Sequence, residues 1–237
     1  VVDEADLSKK TARGRDVLWH SDARLDVFAA THEGYLKSHG LVHRRAVVFL
    51  KPDVFVVFDS CTADRDGQIL SWYFHSPTDL VVGKKGRVAS AAGPGVLLVE
   101  AWPDELTDVR QGEGMCSMSI FGEPREIDWI AYDKIGRNGA DNRFAVLMMP
   151  FADAPPDVNF TPEPSPPGTT VLRLRRGKTS DLLVLGNGRP LTLLDNRLVT
   201  DGAFAWVHQD EKGRRRGVLV EGKELTWDGR SLPSWDR

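Results

Sequence analysis

This sequence of 237 residues contains only two cysteines, Cys61 and Cys116. That scarcity excludes a disulfide scaffold, and no C-x-x-C spacing marks a metal site; the pair fits one disulfide or two buried thiols. Neither sign of charge dominates, with 31 Lys and Arg against 34 Asp and Glu and a formal net charge of −3. Nothing in that balance calls for nucleic acid or an anionic membrane surface as a partner. No apolar run approaches the ~20 residues a membrane helix needs, so no membrane insertion is expected. H-x-H, H-E-x-x-H, G-x-S-x-G, P-loop and Rossmann patterns are all missing, which leaves acyl-transfer and nucleotide chemistry without support. No long window carries a 3.6-residue apolar period, so helix content should be low. Tyrosine is scarce, at three residues against seven tryptophans; tryptophan-rich β proteins often bind sugars, although core packing is the plainer use.

What is present is a train of short β-type runs at about ten-residue intervals, separated by turn residues. Its centre is residues 39–77. Val42 to Leu50 and Val54 to Asp59 read as a hairpin closed by Lys51-Pro52-Asp53, where proline presets φ and aspartate can bond its own backbone. The three-residue loop sets Leu50 opposite Val54 and Arg45 opposite Asp59, an ion pair across the ladder. Gln68 to His75 supplies a third, alternating strand. Before the hairpin, residues 10–24 read as loop around an apolar island at Val17 to Trp19. Leu25 to Ala30 reads as a strand, and His32 to Gly40 as a loop or edge segment. After it, Met115 to Phe121, Asp128 to Tyr132 and Arg143 to Phe151 are among the strand candidates, with Gly112 to Gly114 as punctuation. Six prolines between Pro155 and Pro167 exclude a central strand and read as an extended connection. Thr170 to Arg176 then alternates with a basic outer face, and a final small hairpin turns at Asp228-Gly229. The expected fold is all-β, a two-layer antiparallel β-sandwich over residues 1–154. Residues 155–169 form the connection, and residues 170–237 either complete the sandwich or form a smaller β subdomain.

Tyr35, His43, Arg44, Arg45, Asp59 and His75, with the hydrophobic frame between them, resemble the β-sandwich region of heparinase II/III-like polysaccharide lyases. The likeness is good over roughly residues 1 to 80 and general beyond. It implies a parent that cleaves uronate-containing polysaccharide, such as a glycosaminoglycan or alginate, by β-elimination, in the periplasm or outside the cell. The sandwich would line the substrate cleft and stabilise a helical catalytic domain. The chain begins without an initiator Met or signal peptide, on what reads as the end of a strand. The expectation is therefore a piece of a longer protein, with the helical domain and a metal-binding segment lying upstream of residue 1. On that reading this chain carries no catalytic residue and no metal or other cofactor, and is inactive alone. Its partners are acidic polysaccharide and the helical domain of the same protein. The alternative is a free-standing carbohydrate-binding or structural β-sandwich module.

A uronate lyase needs cations or metal at the substrate carboxylate, a base for the C5 proton and an acid for the leaving oxygen. Tyr35, His43, Arg44 and His75 are the substrate-binding candidates. If the third strand lies beside the hairpin, His43 and His75 approach at one sheet edge. Asp59 between them would suggest a metal site, but Arg45 as its partner removes the ligand a metal needs, so Arg45 and Asp59 read as a structural pair. Arg214-Arg215-Arg216 with Lys212 is suited to an acidic polysaccharide by charge, yet its flanking Asp210, Glu211 and Gly213 read as a solvated hairpin tip.

Overall fold

The computed structural model describes residues 1–5, 14–116 and 125–234, with the backbone alone for Cys116 and Arg125. The Cys116 side chain, the end of the strand expected over Met115 to Phe121, and residues 10–13 lie outside the described residues. The chain divides into two compact units, Val1–Pro156 and Asp157–Arg237.

The first unit holds strands β1 (Gly14–Ser21), β2 (Leu25–His32), β3 (Val42–Leu50), β4 (Val54–Thr62), β5 (Ile69–Ser76), β6 (Leu80–Val82), β7 (Val88–Ser90), β8 (Gly95–Glu100), β9 (Asp108–Cys116), β10 (Arg125–Ile135) and β11 (Asp141–Phe151). Among the described residues helix is confined to short turns, of which α1 (Leu36–His39) follows β2. Eight strands form one antiparallel sheet in the order β1-β2-β3-β4-β11-β8-β7-β6, and β5-β10-β9 form a second. The β3–β4 hairpin has the register expected from its turn, with Leu50 opposite Val54 and Arg45 opposite Asp59. Between the two sheets lies one core. Leu70, Trp72, Ile130 and Tyr132 from the small sheet pack with Cys61, Leu98, Phe144 and Val146 from the large one. Full burial of such a side chain contributes about 1.5–3 kcal/mol, which is what ties the sheets into a sandwich.

Two sequence expectations change here. The third strand, β5, does not lie beside the hairpin: β4 pairs instead with β11, and β5 opens the other sheet. Strand β11 is the most apolar of this half and is best buried between neighbours on both sides, whereas β5 is apolar mainly on one face. The glycines 112 and 114, read as loop punctuation, lie inside β9. An added Cβ at Gly112 would come within 2.6 Å of the Trp129 ring. Glycine is therefore what lets this indole lie across the neighbouring strand, and the close approach, not a turn, explains it.

The second unit contains β12 (Asn159–Glu163), β13 (Thr170–Arg176), β14 (Thr179–Leu185), β15 (Leu191–Leu193), β16 (Leu198–Thr200), β17 (Phe204–Gln209), β18 (Arg215–Val220), β19 (Leu225–Trp227) and β20 (Arg230–Ser231). They form a five-stranded sheet, β12-β13-β14-β17-β18, and a four-stranded sheet, β15-β16-β19-β20. Val171, Leu182, Val184 and Val207 of the first pack against Leu193, Leu198 and Trp227 of the second. Residues 170–237 thus have a two-sheet core of their own. Part of the expected proline-rich connection is a strand after all. β12 includes Pro162 and sits at a sheet edge, the place where a strand tolerates a residue without an N–H. At the last hairpin, Asp228 and Gly229 both take positive φ, as the turn between β19 and β20 requires.

Candidate functional site

The first unit's candidate site grows from two rows of side chains running across the large sheet. Register places His32 opposite His43, His43 opposite Cys61 and Cys61 opposite Asn142. The next row on the same face is Ala30, Arg45, Asp59 and Phe144. Arg45 stands directly opposite Asp59 on the neighbouring strand and reaches it there. These rows border a cavity of about 210 Å³, which Tyr35, Ser71 and Trp72 help to line.

The polar contacts form one directed chain. Arg45 donates to Asp59 twice, from Nε to Oδ1 at 2.7 Å and from Nη2 to Oδ2 at 2.8 Å. His43 Nε2 meets Asp59 Oδ1 at 2.5 Å, and His43 Nδ1 meets His32 Nε2 at 2.6 Å. The Gly34 N–H donates to His32 Nδ1 at 3.2 Å. That last bond sets the tautomers by assignment: His32 Nδ1 is an acceptor, so neutral His32 carries its proton on Nε2 and donates to His43 Nδ1. His43 then carries its own proton on Nε2 and donates to the carboxylate. All four ring nitrogens are committed.

Electrostatics agree with this arrangement. Burial, the neighbouring His43 and the Arg45 charge together hold His32 below the ordinary histidine range, which favours the neutral ring. Burial alone would raise Asp59, whose side chain is 3 % exposed, but hydrogen bonds from His43 and Arg45 outweigh it and keep the carboxyl below its usual value. The Cys61 thiol is free, buried and pushed well up by that burial.

The predicted residues are only partly brought together. Arg45 and Asp59 pair as the hairpin register required. Tyr35 is buried in the sandwich core, its ring centroid 6.1 Å from that of His32, and borders the cavity. Arg44 projects from the opposite face of β3, where it donates to the Asp16 carbonyl at 3.0 Å and to Thr31 Oγ1 at 3.2 Å. His75 belongs to the other sheet, exposed and stacked on Tyr73 with centroids 6.3 Å apart. The expected approach of His43 and His75 therefore does not occur, because β5 left the hairpin's sheet. The histidine that meets His43 is His32, assigned from sequence to a loop. The alternation of Leu25, Val27, Ala29 and Thr31 carries β2 two residues further than Ala30 and would have put His32 in the strand; its place opposite His43 comes from the pairing of β2 with β3.

No group of three or more His, Cys, Asp or Glu side chains suited to a metal ion occurs among the described residues. The cluster does not fit one: its imidazoles have no lone pair left, and a guanidinium spans the carboxylate. No helix among the described residues is long and apolar enough to cross a membrane.

Comparison with known proteins bears on the fold and the family. The chain is similar to heparan sulfate lyase HepC from Pedobacter heparinus, with a TM-score of 0.58 and 17 % identity over 94 % of this chain and 30 % of that one. A mutant of the same lyase gives a TM-score of 0.62 and 18 % identity over 78 % of this chain and 29 % of that one. A heparinase III gives a TM-score of 0.62 and 14 % identity over 79 % and 29 %. The chain thus spans less than a third of the length of these proteins, and at such identity the likeness concerns the fold. No match appears among curated proteins. The family model described as heparinase II/III-like, C-terminal, matches residues 2–128. That span is more than half of the chain, and the protein belongs to the heparinase II/III-like, C-terminal family.

Proposed function

We propose that this chain is the β region of a polysaccharide lyase that cleaves a uronate-containing, acidic polysaccharide by β-elimination. The first unit would serve as a wall of the substrate cleft and as a support for a helical catalytic domain. A periplasmic or extracellular location, and a structural metal held by residues outside this chain, belong to the same reading. Family membership and the activity named for two of the similar structures, heparan sulfate lyase, support it.

The observation that carries the wall role is the saturated His32–His43–Asp59 chain. A base for the C5 proton must offer a free lone pair within reach of it. Neither imidazole has one, so this cluster orients and stiffens and does not abstract. Arg45 is different: two of its nitrogens hold Asp59 while the side chain stays 49 % exposed. It can present its remaining N–H groups to a saccharide carboxylate.

Two measurements test the reading. The chain incubated with heparan sulfate, alginate and hyaluronan should give no ultraviolet absorbance from unsaturated uronate, and turnover of any of them overturns the passive role. Titration with uronate oligosaccharides should show binding that Arg45→Ala weakens about tenfold, the scale of one charge-assisted hydrogen bond. Unchanged affinity in R45A removes the wall from the cleft.

A further inference from the structure

One rim of the second unit is built unlike the rest of its core. Across the five-stranded sheet, Val171, Val184, Ala205 and Leu219 stand in one row. Arg173, Leu182, Val207 and Gly217 stand in the next. Both rows pack largely on the smaller sheet. The third row on that face is Arg175, Ser180, Gln209 and Arg215, polar in every position. It borders a cavity of about 410 Å³ closed on the other side by Leu194, Asp195, Arg197 and Trp227.

The cations at this cavity are not equally engaged. Arg173 is bound to Glu163, and Arg197 holds Asp228 through two bonds of 2.9 and 3.2 Å. Arg175 and Arg215 form no ion pair among the described residues. Arg215 instead rests its guanidinium 4.5 Å from the centroid of the Trp227 ring, which fixes its plane. A rim that had only to seal the sandwich would be cheaper in apolar residues; here the nearest carboxylate, Asp228, is bonded by Arg197 and only attracts Arg215 from a distance. The mouth is also strained. Leu194, Asp195 and Asn196 take φ of +53°, +53° and +66° in succession, a left-handed run that non-glycine residues adopt at a cost. These residues form the tight turn between β15 and β16, which the Arg197 N–H closes by donating to the Leu194 carbonyl at 3.1 Å.

We propose that this rim is a site for an acidic oligosaccharide, with Arg175 and Arg215 receiving sulfate or carboxylate groups and Ser180 and Gln209 meeting hydroxyls between them. Three strand spacings separate the two arginines, roughly 14 Å at the backbone. A ligand with anionic groups along an extended, hydroxyl-rich body fits that order, and the planar guanidinium suits both anions. The site stands on this unit's own residues and goes beyond the cleft-wall reading.

Calorimetric titration of the whole chain tests it. The probes are a heparin-derived sulfated tetrasaccharide, the same tetrasaccharide desulfated and carboxyl-reduced, and inorganic sulfate. The double variant R175Q/R215Q should weaken the sulfated tetrasaccharide at least tenfold and keep the melting temperature, while R189Q, remote from the cavity, changes nothing. The neutral tetrasaccharide should bind at least tenfold more weakly than the sulfated one. Equal affinity in R175Q/R215Q and the unaltered chain overturns the proposal. So does binding of inorganic sulfate as tight as that of the tetrasaccharide, since the ligand is then a free anion. Loss of affinity in R45A with none in R175Q/R215Q also overturns it while leaving the cleft wall standing; the reverse result supports this site and refutes the wall.

Discussion

Two charged clusters, one in each unit, are built in opposite ways. In the first, Arg45, Asp59, His43 and His32 satisfy one another, and the Gly34 N–H ends the chain. In the second, the Arg175 to Arg215 row opens onto a cavity with two guanidiniums outside any ion pair among the described residues. A closed network resists change, because removal of one member leaves the others buried without partners. An open row has little structural debt, and its members can be altered with loss of binding and not of fold. Network closure, and not residue type, is the difference between the two clusters.

The strongest way to break that comparison is Asp59→Asn. It leaves Arg45 without its counter-ion and His43 without its acceptor, and breaking a buried pair costs 3–5 kcal/mol. Since Arg45 is half exposed, about 2–3 kcal/mol is expected, read as a drop in the midpoint of chemical denaturation. R175Q/R215Q under the same denaturant should shift that midpoint by less than about 0.5 kcal/mol, as surface changes do. A large loss in the second case would erase the distinction.

Gly112→Ala should be the next largest effect. The added carbon drives the Trp129 indole off the sheet, an overpacking cost of about 1–3 kcal/mol. The near-ultraviolet circular dichroism of tryptophan should change with it; an unaltered spectrum would mean the ring does not depend on the glycine.

Proton placement sharpens the comparison further. A long-range nitrogen–proton NMR spectrum at pH 7.5 should show a neutral His32 with its proton on Nε2, and a proton on His43 Nε2. On titration, His32 should show a midpoint below the ordinary value of about 6.5. An unfolded imidazole takes its proton near that value, and the folded one only at lower pH. The contribution of His32 to stability is therefore complete above pH ~6.5 and is lost as pH falls toward the folded midpoint. Glu100 acts in the opposite sense: burial pushes it up to about 7 despite Lys134, so its contribution to stability diminishes as pH rises from ~4.3 to about 7. A His32 midpoint above 6.5 would contradict the assigned tautomers.

The smallest effect should come from Arg44→Ala. Its two bonds are partly exposed and tie β3 to β1 and β2 outside any network, so about 0.5–1.5 kcal/mol is expected by thermal melting. A loss equal to that of Asp59→Asn would mean that closure is not what matters.

Much of the fold was legible because turn chemistry and strand period are local. Lys51-Pro52-Asp53 fixed the hairpin and with it the Arg45–Asp59 pair, and the all-β class followed from turn spacing. What sequence hid was non-local. Nothing near β4 says that its second neighbour arrives with Asp141 to Phe151, and that choice moved His75 to another sheet. His32 was missed for want of two more residues of alternation. Arg215 was lost inside a basic triplet read as a hairpin tip. Arg214 does bind Asp210 there, at 2.6 Å, but the strand pleat turns Arg215 to the cavity between two neighbours that point elsewhere.

Pro162 also bears on how the molecule behaves at high concentration. A bare outer strand offers a ladder of donors and acceptors on which a foreign strand can zip, the first step toward fibrils or swapped oligomers. A pyrrolidine ring in β12 takes one rung out of that ladder and puts bulk in its place. The edge at β12 is thereby made a poorer template for recruitment.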